Sequence, residues 1–157
     1  AAMPDITLRT TLIAGYPGET EEEFAQLQQF VREMKFDRLG CFAYSQEEGT
    51  VAAKMENQLD EDTKQQRADS IMRIQTGIMA EKQAAMVGRT LRVLCDGLDE
   101  ESGLYLCRSA GDAPDIDGAV CVRSEEPLYP GEFYTVLVEE SDEYDLFAVP
   151  VNEEEKK

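Results

Sequence analysis

An α/β segment followed by an all-β module is the fold class that the sequence of 157 residues predicts. Three observations carry it. The first 45 residues alternate one apolar run, one helical stripe and a second apolar run. A long helical pattern follows without a strong break. After it come five short β-rich runs separated by glycine-containing turns, the pattern of a small closed β-barrel.

Residues 6–14, Ile-Thr-Leu-Arg-Thr-Thr-Leu-Ile-Ala, are β-branched and apolar and read as a buried strand. Gly15-Tyr16-Pro17-Gly18 ends it. Thr20 followed by Glu23 forms a capping box, with Glu21, Glu22 and Glu23 at the positive end of the helix dipole. Phe24, Leu27, Val31 and Met34 then recur at helical spacing to about Lys35, and Leu39 to Tyr44 is a second strand. This β-loop-α-β order is the unit of a parallel sheet or a (β/α) barrel. One such unit cannot cover both faces of a parallel sheet, so an apolar face is left open and further strands are expected upstream. The first residue is Ala1 rather than Met, which suits a piece of a longer chain.

Ser45 to Gln58 is a polar loop with at most a short helix. Asp60 opens a helix reaching about Met86, with Ile71, Ile74, Ile78 and Met79 on or beside one face. It spans roughly 40 Å at 1.5 Å per residue, enough to connect two bodies. Gly77 permits a bend there, and Gly88 closes the helix in the usual C-terminal manner. The five β-rich runs are 89–95, 103–108, 119–123, 132–139 and 144–151. Turns are expected at Asp96-Gly97, Ser102-Gly103, Asp117-Gly118 and Pro130-Gly131. Asn152 to Lys157 is a charged tail without apolar anchors, expected to be frayed and disordered.

Lys and Arg number 15 against 33 Asp and Glu, a net charge of −18. Residues 1–87 hold 9 basic and 15 acidic groups, whereas 88–157 hold 6 and 18. Such a balance argues against gripping nucleic acid by bulk charge, since phosphate tracking needs cations. No apolar run is long enough to cross a bilayer as a helix. The absence of His removes imidazole as ligand or base. Cys41, Cys95, Cys107 and Cys121 are too widely spaced for a short ligand pair, and each lies in an apolar run, as a small buried hydrophobe would. Four such thiols fit a reduced, cytoplasmic chain.

Three stretches carry a family resemblance. Thr11-Leu12-Ile13-Ala14-Gly15-Tyr16-Pro17-Gly18-Glu19-Thr20 resembles the fifth-strand motif of radical S-adenosylmethionine enzymes. Tyr44 to Ala52 is similar to the loop after the next strand in methylthiotransferases. Arg108-Ser109-Ala110-Gly111-Asp112-Ala113-Pro114-Asp115-Ile116-Asp117-Gly118 resembles the TRAM-domain loop of the branch that modifies a ribosomal protein, Glu143-Tyr144-Asp145-Leu146 is similar to that branch's last strand, and Leu8-Arg9-Thr10-Thr11 favours the same branch. The resemblance runs from about Ile6 to Val149. It implies a partial radical-S-adenosylmethionine (β/α) barrel over 1–59, a linker helix over 60–87, a five-stranded, OB-like TRAM β-barrel over 88–151 and a tail over 152–157. It further implies S-adenosylmethionine and two [4Fe-4S] clusters as cofactors. The product that the resemblance implies is a β-methylthio group on an aspartate of small-subunit ribosomal protein twelve. The cluster cysteines of the family are missing from this sequence, so the piece alone is expected to be inactive.

By the resemblance, Ile13 and the adjoining backbone lie against the adenine of S-adenosylmethionine, with Gly15, Pro17, Gly18 and Glu19 shaping the loop. The bland alternative is a strand-to-helix turn. Arg9 either meets a carboxylate inside the barrel or faces the surface at the start of its strand. The Glu47-Glu48-Gly49-Thr50 loop is either a contact to cofactor or substrate or a solvated acidic loop. Arg108, Asp112, Asp115 and Asp117 crowd one loop and are candidates for docking a basic ribosomal protein. Otherwise Asp117-Gly118 is a turn and Asp112 caps backbone amides. A monomer that recruits a cationic protein is the expectation, ahead of a tRNA-modifying relative or a non-enzymatic acidic module.

Overall fold

A computed structural model describes residues 3, 6–113 and 116–151. Asp115 and the expected tail over 152–157 lie outside the described residues. The chain divides into two compact units, Ala1–Met79 and Ala80–Lys157.

In the first unit, β1 (Arg9–Ala14) and β2 (Arg38–Ala43) pair in parallel, Arg9 opposite Arg38 and Ala14 opposite Ala43. Between them runs α1 (Glu21–Met34). Its capping box is formed: Thr20 accepts the Glu23 amide, and the Glu23 carboxylate accepts the Thr20 amide. A left-handed Lys35 ends the helix, its N–H on the Val31 carbonyl. After a short 3₁₀ turn at Ala52–Lys54 comes α2 (Glu61–Ala84), unbroken at Gly77, whose last residues fall in the second unit. Val31, Phe36, Leu39, Ile71 and Ile78 form the core, with Leu12, Phe24, Leu27 and Cys41 against it. Met34 departs from the expected stripe and is exposed, and Phe36, two residues on and beyond the helix end, is buried in the core.

Burial along β1 alternates, so Thr10, Leu12 and Ala14 turn inward while Arg9, Thr11 and Ile13 lie exposed. Ile13 faces out opposite an exposed Phe42. The open face carries Arg9 and Thr11 beside the apolar Ile13 and Phe42.

In the second unit, β3 (Thr90–Leu98), β4 (Tyr105–Arg108), β5 (Val120–Val122), β6 (Phe133–Ser141) and β7 (Leu146–Pro150) close a barrel in the order β3-β4-β5-β7-β6. Among the described residues of this unit, only β5 and β7 pair in parallel. Val93, Cys95, Cys107, Val120, Val122, Val136, Val138 and Ala148 fill the interior. Two local expectations differ. Asp96-Gly97 is a bulge within β3 rather than a turn, since pairing to β4 shifts register there and the strand continues to Leu98. Gly88 has positive φ, but its N–H goes to the Val138 carbonyl of β6 instead of closing the helix. No helix among the described residues is long and apolar enough to cross a membrane.

Candidate functional site

The loop after β1 is held from three sides. Gly15 adopts φ +78°, and its N–H donates to Glu19 Oε1 at 3.0 Å. The Gly18 N–H donates to the Asn57 carbonyl, and the Glu19 N–H to the Tyr16 carbonyl, both at 2.9 Å. Arg67 of α2 reaches in from the third side. Its Nη1 donates to Glu19 Oε1 at 2.7 Å and to the Glu19 carbonyl at 2.9 Å, and its Nη2 donates to Glu21. The Arg67 side chain is 6% exposed and that of Glu19 13%. Burial works against the Arg67 charge, yet hydrogen bonds and the charges of Glu19 and Glu21 outweigh it and raise its pKa above the ordinary value.

Lys64 lies one turn earlier on α2 and is buried under the same loop. A Cβ on Gly15 would come within 2.6 Å of Lys64 Cγ and 3.0 Å of its Cα. The Lys64 ammonium pairs with Glu61 at 2.6 Å and stands 5.3 Å from the Tyr44 ring centre. Tyr16 packs edge-on against Tyr44, whose buried hydroxyl finds no hydrogen-bond partner among the described residues.

Ile13, Gly15, Pro17, Gly18 and Glu19 thus gather at the C-terminal end of β1. Arg9 stands at the strand's other end and is exposed. Glu19 turns its carboxylate into the loop, where it accepts from Gly15 and Arg67. The Glu47-Glu48-Gly49-Thr50 loop is exposed and holds itself together through Thr50, which donates to the Glu47 carbonyl. At this strand end Ile13 presents an exposed apolar side chain, the kind of surface an adenine ring could pack on, while the Tyr44 hydroxyl is buried. Iron–sulfur clusters do not fit. Among the described residues no group of three or more His, Cys, Asp or Glu could hold a metal ion, and no step is derived through a cluster.

All four cysteines are free thiols. Burial pushes Cys41 and Cys121 up to about 11 and Cys107 to about 12. Cys95 and Cys107 are cross-strand partners inside the barrel. They are packing groups, poorly suited to nucleophilic chemistry.

In the barrel loop, Arg108 makes a two-pronged ion pair with Asp96, at 2.7 and 2.9 Å. Asp112 accepts the amide and hydroxyl of Ser109, and Asp117 accepts the Ala113 amide at 2.7 Å. Asp112 and Asp117 are thus bonded within their own loop, Asp112 capping backbone as the bland alternative has it, whereas Arg108 pairs with Asp96 of β3. Exposed acids surround the barrel, among them Glu100, Glu101, Glu125, Glu126, Glu132 and Glu143. The barrel's arginines are dispersed: Arg92 lies 4.3 Å over the Phe133 ring, and Arg123 pairs with Glu139.

Sequence reasoning missed Arg67, Lys64 and Asp96. A usable signal existed for the first two, because Lys64, Arg67, Ile71, Gln75 and Ile78 share one helical face, but three of the five are polar and mask the stripe.

Residues 87–151 match the model of the TRAM domain. Over nearly all its length the chain is similar to proteins described as ribosomal protein uS12 methylthiotransferase RimO. The one from Lachnoclostridium phytofermentans is 49% identical over 92% of this chain and 33% of its own. That from Desulfitobacterium hafniense is 50% identical over 92% and 32%, and that from Bacteroides thetaiotaomicron 46% over 98% and 35%. The chain spans about a third of the length of these curated relatives.

Proposed function

We propose a function for this chain from the family to which it belongs, the ribosomal protein uS12 methylthiotransferases. It acts as the part of such an enzyme that completes the S-adenosylmethionine site and recruits a cationic protein substrate. Residues 1–59 contribute two strands of a radical (β/α) barrel, 60–87 link it onward, and 88–151 are the recruiting TRAM barrel. The first role rests on the strand end just described: Ile13 offers an apolar surface to adenine, and the loop from Gly15 to Glu19 holds a fixed backbone beside it. S-adenosylmethionine, when bound, supplies the carbon radical that starts methylthiolation of an aspartate. The cluster ligands belong to sequence outside this chain.

The recruiting role rests on one observation, the 18 acidic against 6 basic residues over 88–157. A module so charged repels phosphate and attracts Lys and Arg side chains, raising the encounter rate with a basic polypeptide. Arg108, Asp112 and Asp117, with Asp115 next to them in sequence, are the candidate docking residues of that module, and exposed glutamates add to its charge.

Titration of the chain with purified uS12 and with bulk tRNA, at a series of salt concentrations, tests the reading. Expected is binding of uS12 at low salt that weakens steadily as salt rises, without binding of tRNA. Salt-sensitive binding of tRNA with none of uS12 overturns the recruiting role in favour of a tRNA-modifying relative.

A further inference from the structure

We propose that Arg67 is a positioning residue for the β1 loop: from α2 it fixes the backbone of Gly15 to Glu19 in the form that receives S-adenosylmethionine. The inference rests on the reading of this loop as the cofactor contact.

Four observations converge. Arg67 is a buried cation in an otherwise weakly amphipathic helix, and its burial carries a desolvation cost that only a fully bonded arrangement offsets. One of its nitrogens binds both the side chain and the main-chain carbonyl of Glu19, so it holds the backbone as well as the carboxylate. The same carboxylate oxygen accepts the Gly15 N–H, which carries the restraint across the four-residue turn to the end of β1. Phe24 of α1 stacks 5.1 Å from the guanidinium carbon and keeps the fork from swinging away.

The chain of contacts therefore runs Arg67, Glu19, Gly15, then Ile13 two residues back. None of these bonds is needed to close α2, which has its own main-chain ladder. A lysine at 67 keeps the charge but lacks the planar fork, whose two nitrogens separately serve Glu19 and Glu21. Lys64 packs the loop from beneath without bonding to it, so the two cations have separate duties.

The test uses the full-length gene product and reads two quantities: the S-adenosylmethionine dissociation constant by equilibrium dialysis, and hydrogen exchange at the Gly15 amide. The variants are Arg67→Gln, Arg67→Lys, Glu19→Gln and Ile13→Ala, each compared at a temperature where all remain folded. Expected for Arg67→Gln is exchange at Gly15 faster by tenfold or more and affinity weaker by about tenfold. Arg67→Lys should fall between it and the parent. The Arg67→Gln, Glu19→Gln pair should weaken binding by less than the sum of the two alone, because they share the contact between the two side chains. Unchanged affinity in Arg67→Gln alongside weakened affinity in Ile13→Ala overturns the positioning role alone. Unchanged affinity in both overturns the reading of the loop as well. If Arg67→Gln does not fold, the Glu19→Gln and Arg67→Lys arms decide by the same two readouts.

Discussion

Arg67 and Glu19 lie 48 positions apart, yet their side chains meet at 2.7 Å with both largely removed from solvent. The pair ties the long helix to the turn after the first strand, and through Glu19 to the amide of Gly15. A turn that reads in sequence as a simple break is thereby given one conformation.

Because that turn is so closely packed, its two glycines should differ in tolerance. Gly15 combines φ +78° with a Cβ position 2.6 Å from Lys64 Cγ and 3.0 Å from its Cα, while Gly18 has φ +84° and open space. Gly15→Ala is expected to cost about 3 kcal/mol, backbone strain plus overpacking, and Gly18→Ala about 1 kcal/mol from strain alone. Urea unfolding of the two variants checks this, and equal losses would refute the packing argument.

Gly118 should be stricter still, for a different reason. A Cβ there would stand 1.8 Å from the Tyr144 carbonyl oxygen and 2.9 Å from Asp145 Oδ1, the oxygen that accepts the Ala119 amide. Gly118→Ala must push the β6–β7 turn off the start of β5, at a cost of about 3 kcal/mol or more. Near-ultraviolet circular dichroism and the melting temperature report it, and a melting point unchanged within a degree or so would contradict the contact.

The thiols predict alkaline lability. Cys41 and Cys121 are raised from 9.0 to about 11 and Cys107 to about 12, chiefly by burial. The folded state then holds these protons more tightly than the unfolded state. Their contribution is whole below pH 9 and is lost as pH rises from 9 toward 11–12. Cys41→Ala should unfold with a shallower pH dependence across that window than the parent. At pH 8 the partly buried Cys41 should react with a disulfide reagent roughly a hundredfold more slowly than a free thiol.

At the acid end, Asp142 accepts the backbone amides of Tyr144 and Asp145, and these bonds lower its pKa from 3.8. A depressed carboxylate stabilises above its unfolded value, and that support is lost as pH falls below 3.8 through the folded value. Asp142→Ala should show a smaller stability difference between pH 5 and pH 3, by urea titration. An identical slope would mean the turn is held without the charge.

Much of the architecture was legible from local pattern. Alternation and β-branched runs marked the strands of the barrel, and Thr20 with Glu23 marked the start of α1, because such signals arise between residues close in the chain. Asp96-Gly97 misled, since a glycine bulge and a glycine turn have the same composition and differ only in whether β4 lies alongside. The candidate loop at Asp112 and Asp117 was located by sequence, but whether its carboxylates face outward or bind their own amides was not.

By itself, then, the sequence determined the order of elements, the resemblance to a family and the uneven negative charge, all properties of neighbours or of totals. Only the tertiary structure decided that a buried arginine holds the β1 turn and that β1 carries an exposed face with Ile13 and Arg9 on it. Those depend on pairing across dozens of residues, where desolvation selects which charges must meet and no local periodicity records the choice.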